Sequence, residues 1–181
     1  MRLGIFDHFG WAIGVTASAD YEVVDRRRLV LVEPEITPAP MHYESAHLDD
    51  AATTALVETV RASVARATTN ALDELERALP EPIASIALRA WPPDFPTDIT
   101  VLKRPPYESR ADAVMYRQIL ARLAEARGWT VNRYDAKSVV NDAVAILGDR
   151  ANDVFYGPRA RLGAPWTQDH RVALAATVVG G

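Results

Sequence analysis

The sequence predicts an α/β fold in which a mixed sheet of five strands carries helices on both faces. Three strand-like segments follow one another near the N-terminus and are joined by short turns. A long segment with helical spacing of apolar residues comes next, and shorter strands and helices then alternate. Strands linked by tight turns pair antiparallel, whereas strands separated by helices pair parallel. A length of 181 residues is consistent with a single domain over 1–181.

The first three strands are predicted from short apolar runs. Leu3–Asp7 ends on a carboxylate, and a tight turn leads to a second run, Trp11–Thr16. The third segment, Tyr21–Val32, carries three consecutive arginines. A basic edge strand is typical of solvation and edge protection, and it is also consistent with phosphate contact. The proline-rich link Glu33–Pro40 ends this part of the sheet, because proline cannot continue a central strand.

The remaining elements are predicted from a change in the spacing of apolar residues along the chain. Apolar residues recur every three or four positions between Leu48 and Leu79, which predicts a long amphipathic helix. Pro80 and Pro82 end it. We then predict strands over Ile83–Ala90 and Trp129–Tyr134, and helices over Arg110–Arg127, Ala136–Leu147 and Thr167–Val178. The proline-rich loop after the fourth strand leaves room for a short extra strand at Ile99–Leu102. The segment Asp153–Trp166, rich in Gly and Pro, is predicted as a loop.

Composition excludes several classes of function. The net charge of −4 gives no general attraction for nucleic acid, and the lack of cysteine excludes thiolate metal sites and cysteine nucleophiles. No apolar run approaches the ~18 residues of a membrane span, so we expect no membrane partner. A chain without cysteine fits the reducing cytoplasm, which is the location we expect.

Two acids stand at the boundaries of predicted elements. Asp7 ends the first strand before a glycine turn, and Asp169 opens the last helix ahead of an Ala-Leu-Ala run. With this order of elements, the chain resembles the ribonuclease H-like superfamily, in particular its RuvC-type resolvase branch. The resemblance implies a nuclease that uses Mg²⁺ or Mn²⁺, with Asp7 and Asp169 as metal ligands. Val172 stands where the family has a second helical acid, and Asp94 is the nearest acid after the fourth strand.

The chemistry of phosphodiester hydrolysis explains why such acids matter. Two divalent cations about 3.5–4 Å apart must be held against one phosphate, and clustered carboxylates hold them. Asp7, Asp169 and Asp94 are therefore candidate metal ligands. Each acid also has a structural interpretation: Asp7 would bond its own backbone in a turn, and Asp169 would cap a helix.

The four histidines form a second pattern, because all lie near these segments. His8 or His170 would assist proton transfer as catalytic residues beside Asp7 and Asp169. His42 and Glu44 are further candidate metal ligands, and imidazole would favour zinc, manganese or iron over magnesium. Ordinary polar or capping histidines are the alternative interpretation.

Basic and aromatic residues provide candidate contacts with nucleic acid or a protein partner. Lys137 follows the fifth strand, where the resemblance implies a lysine that faces nucleic acid. Arg159, Arg161 and Trp166 lie in the predicted Gly- and Pro-rich loop. Such side chains stack on bases and bind phosphate, but they also anchor loops and bind proteins.

Two functions from different classes stay open. The first is a metal-dependent nuclease or resolvase-like protein that processes nucleic acid. The second is a catalytically inactive ribonuclease H-like domain that acts as a scaffold or protein-interaction module, including self-association as a homo-oligomer. The missing helical acid and the acidic net charge favour the second, whereas Asp7, Asp169 and the grouped histidines favour the first.

Overall fold

A computed structural model describes residues 1–181 and contains one five-stranded sheet. Its strands are β1 (Arg2–Asp7), β2 (Trp11–Ala17), β3 (Val23–Val30), β4 (Ser85–Arg89) and β5 (Thr130–Tyr134). The order across the sheet is β3-β2-β1-β4-β5. The strands β1, β2 and β3 are antiparallel neighbours, whereas β4 and β5 join the sheet in parallel. The predicted α/β fold with a mixed five-stranded sheet is therefore confirmed.

Helices cover both faces of this sheet. They are α1 (Pro40–Tyr43), α2 (Asp50–Ala78), α3 (Ile99–Leu102), α4 (Glu108–Ala126), α5 (Val139–Leu147), α6 (Ala151–Leu162) and α7 (Gln168–Val179). Helices α2 and α4 cover one face, with Leu3 and Ile5 of β1 in the same buried cluster as residues of both helices. Helices α5 and α7 cover the other face together with α6. None of the helices combines the length and hydrophobicity that a membrane-spanning segment needs.

The contact between β1 and α7 is unusually close and depends on Gly4. A Cβ atom at Gly4 would lie 1.8 Å from the carbonyl oxygen of Ala173, which is backbone and cannot give way. Only glycine allows this approach. The central strand and the last helix are consequently packed backbone to backbone.

Two segments differ from their predicted structure. Ile99–Leu102 forms a helical turn and not a strand, because Asp98 caps it by accepting from the Val101 N–H at 3.1 Å. Most of the predicted Gly- and Pro-rich loop is helix α6. Phe155 and Pro158 of α6 are buried, and Phe155 belongs to the same apolar cluster as residues of β2 and α7, so tertiary packing outweighs the local signals for a loop.

Candidate functional site

Asp7 lies at the end of the central strand and is almost completely buried, with 7% of its surface exposed. Its Oδ2 atom accepts from Arg117 of α4, with Nε at 2.9 Å and Nη2 at 2.8 Å. The Nε atom of Arg89, at the end of β4, is 3.9 Å from the other carboxylate oxygen, Oδ1. Two guanidinium groups therefore surround the carboxylate at the position predicted for a metal ligand.

The fold explains why these three side chains meet. Strands β1 and β4 are parallel neighbours, so Asp7 and Arg89 end at the same edge of the sheet. Helix α4 packs over that edge and contributes Arg117, which is 9% exposed. Tyr134 of β5 lies nearby and donates its hydroxyl to the carbonyl of Ile5 at 2.7 Å. Burial, with the charge of Asp7 as a smaller cause, raises the pKa of Tyr134 to about 12, so this hydroxyl stays protonated.

Asp169 is paired with His8 and not with a second acid. The Nε2 atom of His8 lies 3.0 Å from Oδ2 of Asp169. The His8 ring stacks on Trp11, with ring centroids 3.9 Å apart and an angle of 10° between the planes. The guanidinium of Arg28 covers Trp11 at 4.2 Å. The imidazole is held in one orientation by this stack.

His170 caps the last helix. It is 5% exposed, and its Nδ1 atom accepts from the N–H of Thr167 at 3.2 Å. The two residues form a capping box at the start of α7. Burial lowers the pKa of His170, and the positive charge of Arg26 lowers it further. A neutral, buried imidazole in this position stabilises the helix start.

The other candidate metal ligands are exposed. His42 and Glu44 lie at the end of α1, and Asp94 lies in the loop after β4. The His42 ring is 5.9 Å from the Phe9 ring, so α1 does approach the turn after β1. However, nowhere do three His, Cys, Asp or Glu side chains gather into a group that could hold a metal ion. The residues present do not fit the pair of divalent cations that the resemblance implies. The carboxylate of Asp7 is paired with Arg117, and that of Asp169 is paired with His8.

Asp112 of α4 holds the segment that carries His42. Its buried carboxylate accepts from the backbone N–H groups of Met41 at 3.2 Å and His42 at 3.0 Å. Burial raises the pKa of Asp112 to about 6, although both hydrogen bonds oppose this shift. Asp112 therefore attaches α1 to α4 through backbone donors, and the charge of His42 is the smallest of the causes that act on its pKa.

Two cavities meet beside Asp7, and cations dominate their walls. The smaller cavity, of about 250 Å³, is lined by Asp7, His8, Phe9, Arg89, Ala113 and Arg117. The larger, of about 550 Å³, shares Arg89 and Arg117 and adds the exposed Arg110 and Lys137. Asp135 is the single carboxylate on its walls. We call the two cavities together the strand-end cleft.

The predicted contact residues are distributed over different surfaces. Lys137 lines the strand-end cleft, whereas Arg159 is exposed on α6. Arg161 donates to the carbonyl of Val23 at 3.0 Å and so ties α6 to β3. Trp166 is 6% exposed and donates its indole N–H to the Phe155 carbonyl at 2.7 Å. Trp166 is thus an internal anchor and not a surface contact, because its ring is buried between α6 and α7.

Sequence reasoning missed Arg89, Arg110 and Arg117. One signal was available for Arg89, since it ends a predicted buried strand parallel to β1. Arg117 gave none, because its position relative to Asp7 depends on how α4 packs across the sheet.

Comparison with known proteins supports the fold more than the activity. No family model matches the sequence, and no curated protein is significantly similar to it. Among solved structures, the chain is similar to T. thermophilus RuvC in complex with a Holliday junction substrate, with a TM-score of 0.50 and 15% identity. The match covers 98% of this chain and 89% of that chain. The fold is therefore ribonuclease H-like and similar to that of RuvC, while the sequences have diverged widely.

Proposed function

We propose that this chain is a nucleic-acid-binding domain with a RuvC-like fold. It binds nucleic acid but does not hydrolyse it by the mechanism that uses two metal ions. The proposal depends on one observation: Arg89, Arg110, Arg117 and Lys137 line a single cleft at the strand ends, opposed by few acids. The chain as a whole is acidic, with a net charge of −4. A concentrated cationic cleft on an acidic protein is the electrostatic pattern expected for a local contact with phosphate groups.

The likeness to a junction-bound RuvC supports branched DNA as the first ligand to test. Arginine and lysine side chains bind the phosphate backbone irrespective of sequence. We therefore expect affinity that depends on the shape of the nucleic acid and on salt. A cytoplasmic location, predicted from the lack of cysteine, is consistent with this role.

Metal-dependent cleavage, the first function predicted from the sequence, has less support from the residues present. Its two principal acids already have partners, Arg117 for Asp7 and His8 for Asp169. A cation that approached Asp7 would also meet repulsion from Arg89. We therefore propose that Mg²⁺ or Mn²⁺ is not a cofactor of this domain, and that Asp7 has a positioning role toward Arg117.

Binding and cleavage are tested together with fluorescent four-way junction, duplex and single-stranded DNA. We expect fluorescence anisotropy to show binding that weakens steeply with salt, and gels to show uncut DNA with Mg²⁺ or Mn²⁺. Arg110→Gln and Lys137→Gln should each reduce the slope of log affinity against log salt by about 0.7–0.9. Arg122→Gln, an exposed arginine on the same helix outside the cleft, is the matched control. Cleavage lost in Asp7→Asn would overturn the proposal, and so would absence of binding.

A second candidate function is protein interaction, and exposed apolar residues favour it. Val140 and Val144 of α5 are 36% and 42% exposed, and Tyr156 of α6, which lines the same groove, is 58% exposed. Such a surface is typical of self-association. Sedimentation of the native chain and of Val144→Ser tests this function. A dimer that dissociates in the variant would favour it, whereas a native monomer would exclude self-association through α5.

A further inference from the structure

Two buried polar atoms beside the strand-end cleft have no hydrogen-bond partner within the protein. The Nε atom of Arg89 donates to no acceptor, and Oδ1 of Asp7 accepts from no donor. They face each other across 3.9 Å, which is beyond hydrogen-bond distance. Buried polar groups in proteins are almost always paired, so this gap shows that Asp7 does not satisfy the Arg89 guanidinium. The Arg89 side chain is 28% exposed and lines both cavities, so an acceptor oxygen of a ligand can approach the guanidinium from the cleft.

The charge around Arg89 selects the kind of acceptor. Asp7 carries one negative charge and cannot neutralise the guanidinium groups of both Arg89 and Arg117. Two N–H groups of Arg117 already donate to its Oδ2 atom. Arg110 and Lys137 add positive charge along the same cleft. An anion is therefore preferred over a neutral acceptor. Guanidinium groups bind phosphate strongly, because their planar N–H groups match its oxygens.

We infer that Arg89 directly binds a phosphate group of the ligand, and that Arg117 takes the place of a metal ion on Asp7. This inference rests on the proposed function for the source of the phosphate, which is either a strand terminus or a backbone phosphodiester. The inference goes further than the proposed function in two ways. It assigns the phosphate contact to one side chain, and it states that phosphate binds there without a metal ion.

The surroundings of Arg89 suit this role. Its guanidinium lies 4.8 Å from the Phe6 ring centroid, which fixes the side chain from one side. A guanidinium that is already ordered loses less conformational entropy when it binds an anion. His8 lines the same small cavity.

The direct test follows arginine Nε–H signals by NMR during titration with inorganic phosphate. We expect the Arg89 signal, identified by its loss in Arg89→Gln, to shift and saturate in the presence of a metal chelator. Arg89→Gln should weaken phosphate binding roughly tenfold, as expected for one charge-assisted hydrogen bond. Arg122→Gln should leave it unchanged. Thermal unfolding of Arg89→Gln verifies that the variant folds.

Further measurements distinguish phosphate binding at Arg89 from the proposed binding of nucleic acid. If DNA binds and the Arg89 signal does not shift, the inference is overturned while the proposed binding of nucleic acid stands. Phosphate that moves the signal, in a protein that binds no DNA, supports the site and overturns the proposed function. Oligonucleotides with and without a 5′-phosphate distinguish a strand terminus from a backbone phosphodiester. Mn²⁺ that broadens the Arg89 signal, or phosphate binding that requires Mg²⁺, overturns the metal-free site.

Discussion

Asp7 and Asp169 reach the same region of the fold, but their surroundings differ in depth and in partner. Asp7 has a side chain that is 3% exposed and is paired with Arg117, whose side chain is 10% exposed. Asp169 is 28% exposed, and its partner His8 is 34% exposed. Arginine is always charged in proteins, whereas histidine is charged only when protonated.

The difference indicates two separate uses of a carboxylate. Where the carboxylate is buried, a permanent cation must accompany it, because an unpaired charge in a dry environment is very unfavourable. Where water still reaches the pair, a titratable partner is sufficient. Asp7 therefore belongs to the folded core of the site, and the Asp169–His8 pair belongs to its rim.

The largest effect is expected at the buried pair. Arg117→Met should lower the free energy of unfolding by about 3–5 kcal/mol, because it leaves the Asp7 carboxylate buried without its main partner. Its strand-end position alone would suggest that Asp7→Asn leaves folding intact. The structure instead predicts a loss of about 1–3 kcal/mol, since Arg117 loses a charged acceptor. Urea denaturation at neutral pH measures both losses.

The double variant Asp7→Asn, Arg117→Met is the informative control. Removal of both charges should cost clearly less than the sum of the two single changes, because neither partner is then left alone. Additive losses would show that the pair has no coupling and that Arg117 acts only through its packing.

Asp112 sharpens the comparison, since it is as deeply buried as Asp7 but has only backbone N–H partners. Its pKa is raised from 3.8 to about 6. Over roughly this range the folded protein keeps a proton that the unfolded chain has lost. Its contribution to stability is therefore complete below the unfolded pKa and is lost as pH rises through the folded one.

The size of this pH effect is at most about 3 kcal/mol for a shift of roughly two units. Urea denaturation between pH 4 and 7 should show it as a difference between the native chain and Asp112→Asn, which cannot titrate. Parallel curves for the two proteins would contradict the raised pKa of Asp112.

The sequence predicted the sheet well because its signals are local. The apolar runs, the helical period from Leu48 and the glycine turn all act over a few residues. Helix α6 was missed for the opposite reason, because its Gly157 and Pro158 oppose a helix locally and tertiary packing overrides them. The same limit applies to the strand-end cleft. Asp7 was identified from its place in a motif, but its partner Arg117 is 110 residues away and only the packing of α4 brings it there.

The smallest effect is expected at the rim pair. Asp169→Asn should change the free energy of unfolding by less than about 1 kcal/mol, as is usual for ion pairs that solvent reaches. The asparagine can still hydrogen-bond His8, and the stack of His8 on Trp11 continues to hold the ring. Urea denaturation followed by tryptophan fluorescence measures the loss. A loss as large as that of Arg117→Met would show that the two carboxylates are equivalent and would remove the distinction between core and rim.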